Sequence, residues 1–332
     1  MSNTTLFLLK NHIKCLEDVE QKILIISKKE VAKNIREIDL KTISEANKYF
    51  YSKWKSNLTY SNINVIKLPK NTEIRFLVKE AYIETSKRAK NMFDSNNKLL
   101  PKNDRTIYEN VKTVFFELNN QVYIILFTIS ATALNKIKEK LLDNGQVLQQ
   151  VGAEYDIDDD FFYWLFYIYS EKDKLIAKKF TIEAISGFEG NIADEHHIVK
   201  SVSELTPSLL VTKAFVSKFH PIRSVSMILK LDEYSLNFII NDSNQCSIGL
   251  SSVMPNNRYD IDISASIVIY GYMIPNLLSL YKNDENWSYD IKKEFAKKVG
   301  IEVICDIVKF HGINLKDVIT ILNQDKDKIK AI

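Results

Sequence analysis

The chain has 332 residues, of which 45% are hydrophobic and 26% are charged. This balance is typical of a globular protein with a sizeable core and room for two domains. The net charge of +3 is too small to indicate nucleic-acid binding unless the basic residues cluster locally. The 8 Gly and 6 Pro exclude long flexible linkers and low-complexity tracts.

Cysteine usage and hydropathy narrow the class of protein further. Cys15, Cys246 and Cys305 lie far apart and form no CxxC pair, so neither a disulfide framework nor a thiolate zinc site is expected. The first residues lack the basic lead and long apolar region of a signal peptide. The uncharged stretch from Ile263 to Tyr281 approaches the roughly 20 residues of a membrane span. Its polar residues and Pro275 favour instead a buried strand or a buried, broken helix.

The first third of the chain predicts short elements followed by one long helix. Strands are expected at Lys22–Ser27, Glu37–Leu40 and Asn64–Leu68, and a helix from Ser44 to about Lys55. Apolar residues then recur at helical spacing from Glu73 to Phe93, which predicts an amphipathic helix. The polar segment that follows, Asp94 to Asp104, is the predicted domain boundary.

The middle of the chain predicts a sheet. Apolar runs at Val111–Leu118 and Val122–Ile129 flank Asn119-Asn120-Gln121, a pattern typical of a hairpin because Asn tolerates the positive φ of tight turns. A helix is expected to begin at Thr132. The uninterrupted apolar and aromatic run from Phe161 to Tyr169 predicts the central strand of the sheet, buried on both sides, and Leu175–Ile185 its partner.

The last third predicts two more strands and a helical end. Thr206 and Pro207 form a helix start, Val225–Leu231 and Leu236–Ile240 alternate as strands do, and three helices are expected within Tyr289–Asn323, broken at Gly300 and Gly312. The predicted fold class is mixed α+β: a small N-terminal α/β unit, a central, mostly antiparallel sheet with flanking helices, and a helical C-terminus. The expected domains are residues 1–100, 106–285 and 286–332.

Three motifs bear on metal or phosphate chemistry. Asp156, Asp158 and Asp160 match the first ligands of a calcium loop, but Phe161 and Tyr167 stand where Gly and Glu are required. The segment Asp194–His197 lacks the spacing of zinc-binding histidine pairs. Gly187-Phe-Glu-Gly190 resembles a nucleic-acid-clamping GXXG loop, yet its Glu would repel phosphate, so a plain loop is expected. No metal or cofactor is predicted.

The basic side of the predicted Glu73–Phe93 helix is the strongest functional feature. Between Lys70 and Arg105 there are nine basic and five acidic residues. Basic side chains placed in this way could contact DNA phosphates without reading bases. The alternative is a solvated helix face neutralised by internal ion pairs. The predicted DNA-backbone contacts are Arg75, Lys79, Lys87, Arg88 and Lys90.

The order of elements resembles that of the KwaB-like proteins, the cytoplasmic component of the Kiwa anti-phage systems. The likeness is carried by Ile23–Ser27, by the unit formed by Val111–Leu118, Tyr123–Phe127 and Leu134–Lys138, and by the acidic lead Asp156–Asp160 through Phe180. It covers about Lys22 to Ser251, and the C-terminal helices have no counterpart.

The resemblance implies a non-catalytic, DNA-binding subunit in bacterial defence against phage. It also implies a cytoplasmic location, a small membrane-protein partner and self-assembly into a homo-oligomer. Two alternatives stay open. One is an interaction or assembly protein of a mobile element, without nucleic-acid binding. The other is a divergent nuclease in which Asp160 or Glu183 would bind Mg²⁺.

Overall fold

A computed structural model describes most of the chain. The described residues are 1–10, 12–33, 35–57, 59–68, 72–142, 147–149, 151–152, 155–192, 197–203, 205–255, 258–314, 316 and 319–320. They form two compact units, each containing strands and helices. The first unit comprises Met1–Asp156 and Ser243–Leu278, and the second comprises Ile157–Asp242 and Ser279–Ile332. The fold is mixed α+β, as predicted.

The first unit is built on an antiparallel sheet in the order β14-β1-β7-β6-β5-β3-β2, with β4 paired to β5 and β8 to β1. Its strands are β1 Ser2–Leu9, β2 Ser27–Val31, β3 Tyr49–Ser56, β4 Asn64–Lys67, β5 Glu73–Ser86, β6 Thr106–Leu118, β7 Gln121–Leu126, β8 Leu148–Gln149 and β14 Gln245–Ile248. The N-terminal strand β1 lies inside this sheet, between β7 and β14.

Helices cover the central part of one face of this sheet and a smaller part of the other. The α-helices of the unit are α1 Leu16–Asp18, α2 Glu37–Thr42, α3 Glu45–Lys48, α4 Lys102–Arg105, α5 Ala131–Leu141 and α8 Ile261–Val268, and α9 Ile274–Lys282 begins in it. On the first face, Leu134, Ile137 and Leu141 of α5 share a buried core with Trp54 and Ile83. Ser130 caps α5, since its side chain accepts a hydrogen bond from the Ala133 N–H.

The second face is covered by the helical segment Ile261–Lys282, in which α8 and α9 are joined by the π-helical turn Ile269–Met273. Tyr270 is buried and hydrogen-bonds the Thr4 hydroxyl at 3.1 Å. A β-carbon at Gly271 would lie 2.5 Å from Ile74 Cδ1, so a glycine lets this segment approach the sheet closely. The first turn of the segment marks the edge of the covered area. There Asp262 pairs with Lys112 at 2.6 Å.

The same segment is long and apolar enough to span a membrane, with a mean hydropathy of 1.5 over its most apolar window. In the structure, 78% of that window is buried inside the protein. A buried core helix passes the same length and composition test. Burial of Ile263–Tyr281 was expected as either a strand or a broken helix, and the structure shows the buried helix.

The second unit is built on an antiparallel sheet in the order β11-β10-β12-β13, with β9 paired to β10. Its elements are α6 Asp159–Glu171, β9 Leu175–Ala177, β10 Phe180–Asn191, β11 Ile198–Val202, α7 Leu210–Ser217, β12 Ile222–Leu231, β13 Tyr234–Asn241 and α10 Tyr289–His311. Thr206–Ser208 forms a 3₁₀ turn ahead of α7. Helix α10 is continuous through Gly300, where a break was predicted, and it ends at Gly312 in the left-handed conformation (φ 61°), as C-terminal glycines commonly do.

The predicted central strand Phe161–Tyr169 is wrong, because this run forms helix α6. The Asp158 carboxylate caps the helix by accepting a hydrogen bond from the Phe161 N–H at 2.7 Å. The negative charges of Asp159 and Asp160 also interact favourably with the positive N-terminal end of the helix dipole. All the side chains from Phe161 to Phe166 are buried. A helix that is apolar all round is a core helix, and its sequence does not differ in pattern from that of a buried strand.

The predicted amphipathic helix Glu73–Phe93 is also wrong. Residues Glu73–Ser86 form β5, which pairs with β6 without interruption from Phe76↔Phe116 to Ser86↔Thr106, and Ala89–Asn91 is a single 3₁₀ turn. Residues 76–79 are all buried, so both faces of this stretch are covered. Covering both faces of a strand removes the alternation that would have identified it.

Three shorter predictions at the N-terminal end are corrected as well. Lys22–Ser27 is no strand, since a π-helical turn occupies Val19–Ile23 and β2 begins only at Ser27. Glu37–Leu40, predicted as a strand, lies in helix α2. The helix predicted from Ser44 to about Lys55 ends at Lys48, and β3 follows it. The hairpin prediction is confirmed by β6 and β7, with Asn119 and Asn120 at φ 53° and 60°. The helix predicted from Thr132 and the strands at Asn64, Val225 and Leu236 are present.

The domain boundary predicted near residue 100 falls inside the first unit. Strands β5 and β6 lie on either side of this boundary and pair along their length. The residues predicted as one domain, 106–285, are shared between the two units. The last predicted helix, Leu315–Asn323, lies mostly outside the described residues.

Substitution of Gly190 by alanine tests the close packing inside the second unit. Gly187 and Gly190, which were expected in a loop, lie in β10. A β-carbon on Gly190 would lie 2.7 Å from the Pro221 carbonyl oxygen and 2.5 Å from Phe215 Cζ. Because backbone and a buried ring would have to move, Gly190→Ala should destabilise the protein by about 1–3 kcal/mol. Urea unfolding measures the change, and Glu183→Ala, at an exposed position of the same strand, should stay within about 0.5 kcal/mol. Equal stabilities of the two variants would contradict this packing.

Candidate nucleic-acid interface

The five predicted DNA contacts do not share one surface. Arg75 lies on β5 and is ion-paired to Glu17 and to Glu117, the latter at 3.1 Å. Lys79 is buried, donates to the Ser61 carbonyl at 3.1 Å, and burial lowers its pKa. Lys87 follows the end of β5, and Arg88 and Lys90 are exposed in and beside the 3₁₀ turn. The common helix face on which their prediction rested is absent, because the segment is a strand.

A different group of basic residues does share a surface, on the part of the sheet beyond Asp262. Paired residues on adjacent antiparallel strands point to the same side, so the register defines this group. One row across the strands is Ser27, Lys53, Tyr82 and Asn110, and the next row is Lys55, Glu80 and Lys112. We name this surface the Tyr–Lys face and define it by the residues Lys29, Tyr49, Tyr51, Lys53, Lys55, Glu80, Tyr82, Tyr108, Asn110 and Lys112.

Lysine ammonium groups lie over the tyrosine rings of this face. Lys55 Nζ is 3.3 Å from the centroid of the Tyr82 ring, and Lys29 Nζ is 3.8 Å from that of Tyr49. Lys102, from helix α4, reaches to 4.8 Å from the Tyr51 ring. Such contacts contribute about 0.5–1 kcal/mol each at exposed sites. The lysines are therefore held near the face by interactions that a stronger anionic partner can replace.

A buried carboxylate supports the tyrosines from within the same face. Glu84 accepts a hydrogen bond from the Tyr82 hydroxyl at 2.6 Å and pairs with Lys102 at 2.7 Å. Burial acts to raise the pKa of Glu84, but Lys102 and Tyr82 outweigh it and lower the pKa overall. Burial and this carboxylate together raise the pKa of Tyr82 above its usual value. Tyr82 is thus a neutral, oriented ring at neutral pH.

The charge balance of the face is positive but modest. Lys29, Lys53, Lys55, Lys102 and Lys112 stand against Glu80, Glu84 and Asp262. Lys102 and Lys112 are ion-paired to Glu84 and Asp262. Lys29, Lys53 and Lys55 have no carboxylate within ion-pair distance among the residues that the structure describes. These three lysines are the charges that the face can offer to a ligand.

A depression adjoins the face at its Lys112 end. It has a volume of about 600 Å³, and its lining includes Asn3, Asn110, Phe127, Thr128 and the Lys112–Asp262 ion pair. Ser2 also donates to Asp262 at 3.4 Å. The lining therefore combines amide, hydroxyl and charged groups with one aromatic ring, and Asn110 belongs both to the depression and to the Tyr–Lys face.

The sequence alone does not predict this surface, because its residues are spread over β2, β3, β5, β6 and α4. A signal was present in β3, where Tyr49, Tyr51, Lys53 and Lys55 alternate with Phe50, Ser52 and Trp54. Period-two alternation of this kind is typical of a strand with one buried and one open face. The helix predicted over the same residues concealed it.

The carboxylates that a nuclease would need are engaged in the second unit. Asp160 pairs with Lys292 at 2.7 Å, and accepts hydrogen bonds from Trp287 Nε1 at 2.9 Å and the Tyr281 hydroxyl at 3.0 Å. Glu183 on β10 lies 3.4 Å from Lys230. Asp158 caps α6, and the segment 193–196 lies outside the described residues. Asp160 serves to join α6 to α10 and has its oxygens occupied.

One cluster has the composition of a metal site. Ligand atoms of Cys15, Glu17 and Glu117 lie within 4.8 Å of one another. Arg75 is ion-paired to both carboxylates, and the Leu16 N–H donates to Glu117 at 2.6 Å. The arginine therefore already offsets half of the carboxylate charge that would attract a cation.

Comparisons with protein families and with curated proteins gave no match. No protein-family model matches the chain, and no curated protein matches it.

The Asp160 network predicts a pH-dependent contribution to stability. Burial acts to raise the pKa of Asp160, but the hydrogen bonds from Lys292, Trp287 and Tyr281 outweigh it, so the folded-state pKa is lowered. A lowered pKa contributes stability above the unfolded value of about 3.9, and that contribution is lost as the pH falls through the folded value. Asp160→Asn should cost about 1–3 kcal/mol at pH 7.

The measurement is urea unfolding of the wild type and Asp160→Asn between pH 7 and pH 2.5. The difference in stability should be constant above about pH 5 and shrink below about pH 4. Asp159→Asn, which changes the neighbouring exposed carboxylate of the same helix turn, serves as the control and should show no such convergence. A difference between wild type and Asp160→Asn that does not vary with pH would contradict the proposed ion pair.

Proposed function

We propose that this protein binds DNA through the phosphate backbone, and that the Tyr–Lys face is the binding surface. The observation that carries the proposal is that Lys29, Lys53 and Lys55 have no carboxylate within ion-pair distance in the described part of the first unit and lie together beside half-exposed tyrosines. The Tyr–Lys face replaces the basic side of the Glu73–Phe93 helix that was predicted from the sequence. The chemistry of the contact, lysine to phosphate, is unchanged.

Lysine contacts with DNA phosphates are expected to be stronger than the lysine contacts with tyrosine rings that they would replace. A charge-assisted hydrogen bond to phosphate is stronger than an exposed cation–π contact, and each phosphate contact also releases condensed counterions. Binding that rests on such contacts is independent of base sequence and falls steeply with salt. Dissociation constants of about 10⁻⁴–10⁻⁶ M are expected for binding of this class.

The biological setting that we propose follows from the resemblance to KwaB-like proteins. It is a non-catalytic role in bacterial defence against phage, exerted in the cytoplasm together with a small membrane-protein partner. The DNA-binding face supports the nucleic-acid part of this role. The identity of the neighbouring genes tests the rest, since an adjacent small multi-span membrane protein is expected.

Replacement of the three unpaired lysines tests the surface. The variant Lys29→Gln, Lys53→Gln, Lys55→Gln should weaken DNA binding. On a single-stranded probe it should also reduce the slope of log affinity against log salt concentration by about 2, because each phosphate that is no longer neutralised contributes roughly 0.7 to this slope. Fluorescence anisotropy of a labelled oligonucleotide, titrated at several salt concentrations, gives both quantities. The variant should stay folded, and its free energy of unfolding should fall by no more than about 2 kcal/mol, because it loses the two exposed cation–π contacts of Lys29 and Lys55.

Two controls make this test specific. The variant Lys293→Gln, Lys297→Gln, Lys309→Gln removes the same charge from exposed positions of α10 and should bind DNA as the wild type does. Glu80→Gln removes a negative charge between Lys55 and Lys112, so it should tighten binding several-fold. Equal reductions in affinity for the two triple variants would assign the binding to net charge alone and reject the Tyr–Lys face.

Self-association is a second candidate function, favoured by the outer surface of α10. Ile301, Ile304 and Phe310 expose 51%, 52% and 84% of their surface, and burial of such side chains stabilises an interface by roughly 25 cal/mol per Å². The aromatic run of α6 and the uncharged segment that ends in α9 are buried and do not offer such a surface. Light scattering should then report a homo-oligomer that Ile304→Asp dissociates. A monomer at every concentration measured would reject this candidate.

A further inference from the structure

We propose that the ligand of the Tyr–Lys face is single-stranded DNA, with unpaired bases stacked on its tyrosine rings. This inference rests on the proposed function and specifies its substrate class. Lysines alone would serve a duplex equally well, because phosphates are common to both forms. The tyrosines and the adjoining depression distinguish the two.

The tyrosines form a group of rings that spans the face. Tyr82 and Tyr108 lie on adjacent strands with ring centroids 6.2 Å apart and planes inclined by 30°. Tyr51 and Tyr49 lie on β3, on the other side of Tyr82. Tyr108 exposes 41% of its surface, and no lysine of the described residues lies over its ring. Its hydroxyl is held by Asn103 at 2.8 Å, so the exposed ring is oriented without being covered.

Exposed rings on a flat sheet suit unpaired bases. In a duplex both faces of an interior base are already stacked, and side chains reach base edges through a helix or ribbon that enters a groove. A sheet face with aromatic rings offers the bases of a single strand new stacking partners, while lysines track its backbone. Rows of residues on one side of a sheet repeat at about 7 Å along a strand and about 4.8 Å across strands. Rings and ammonium groups therefore alternate at close range on this face.

The depression provides a place for one base beyond the rings. Its volume of about 600 Å³ is within the range of small-ligand sites. The Asn110 amide, the Asn3 amide N–H₂ group and the Thr128 hydroxyl hydrogen can form hydrogen bonds with the edge of a base. Lys112 lies 5.0 Å from the centroid of the Phe127 ring, so its ammonium group is placed to meet the phosphate of the same nucleotide. Asn110 stands next to Tyr82 across the strands, so the depression continues the row of rings. A strand lying on the tyrosines can turn one splayed base into it.

The test compares three probes of about 15 nucleotides, a length that fills one such binding face. The probes are an oligothymidine strand, the corresponding duplex with oligoadenine, and a strand of the same length whose residues are abasic. Anisotropy titrations at one ionic strength should show the thymidine strand bound at least about tenfold tighter than the duplex and the abasic strand. The abasic strand carries the same phosphates, so it isolates the contribution of the bases.

Two variants of one tyrosine complete the test. Tyr108→Ala should weaken binding of the thymidine strand by about tenfold, the scale of one base–aromatic stack, and leave duplex and abasic binding unchanged. Tyr108→Phe keeps the ring and should bind the thymidine strand as the wild type does. Because Tyr108 is exposed, both variants are expected to fold, and circular dichroism verifies this.

The outcomes separate this inference from the proposed function. If strand, duplex and abasic probe bind equally, and the lysine triple variant weakens all three, the backbone proposal stands and the single-strand inference is rejected. Equal binding of the thymidine strand by Tyr108→Ala and Tyr108→Phe would also reject it. If no probe binds, both proposals fall.

Discussion

The ion pair between Lys112 and Asp262 marks the place where one face of the first sheet changes from covered to open. Toward β4, the segment Ile261–Lys282 covers the sheet and approaches Ile74 and Phe116 closely at Gly271. Toward β2, the same side of the sheet presents lysines and tyrosines. Because strands β5 and β6 are long enough to extend past the helix, their outer rows remain unburied. The proposed binding surface is a consequence of this mismatch in length.

The opposite side of the same sheet is covered at its centre by helix α5. There α5 places Leu134, Ile137 and Leu141 on Trp54 and Ile83. Two of its lysines pair with carboxylates on the strands: Lys140 with Glu30 at 2.8 Å, and Lys136 with Glu109 at 2.7 Å. On the covered side, Lys136 and Lys140 are thus matched by acids, whereas Lys79 contacts the Ser61 carbonyl and Lys138 the Phe7 ring. At the centre of the open side, Lys29 and Lys53 are exposed and have no carboxylate within ion-pair distance among the described residues, and the functional proposal depends on this combination.

The sequence predicted the fold class and the locally determined elements well, and the buried elements poorly. The β6–β7 hairpin and the cap of α5 depend on neighbouring residues, Asn119-Asn120 in one case and Ser130 in the other. The identities of β5 and α6 depend on what packs around them. Residues 76–79 and Phe161–Phe166 are buried on all sides, so neither shows a periodicity. In both cases tertiary burial removed the local pattern. The strand β5 was therefore predicted as a helix, and the helix α6 as a strand.

The predicted site depended on the same error. A helix over Glu73–Phe93 would gather Arg75, Lys79 and Lys90 on one side. As a strand, β5 buries Lys79 and places Arg75 against Glu17 and Glu117. Pairing of β2, β3, β5 and β6 brings together Lys29, Lys53 and Tyr108, which lie far apart in the chain. Strand register of this kind is a property of the folded sheet, and single-sequence patterns do not encode it locally.

The central claim concerns which lysines meet DNA, and lysine reactivity measures this directly. The protein would be acetylated briefly with and without saturating oligothymidine, digested, and quantified by mass spectrometry. We predict that DNA protects Lys29, Lys53 and Lys55, while Lys293, Lys297 and Lys309 react equally in both samples. Unchanged reactivity of Lys29, Lys53 and Lys55 in the presence of bound DNA would contradict the claim.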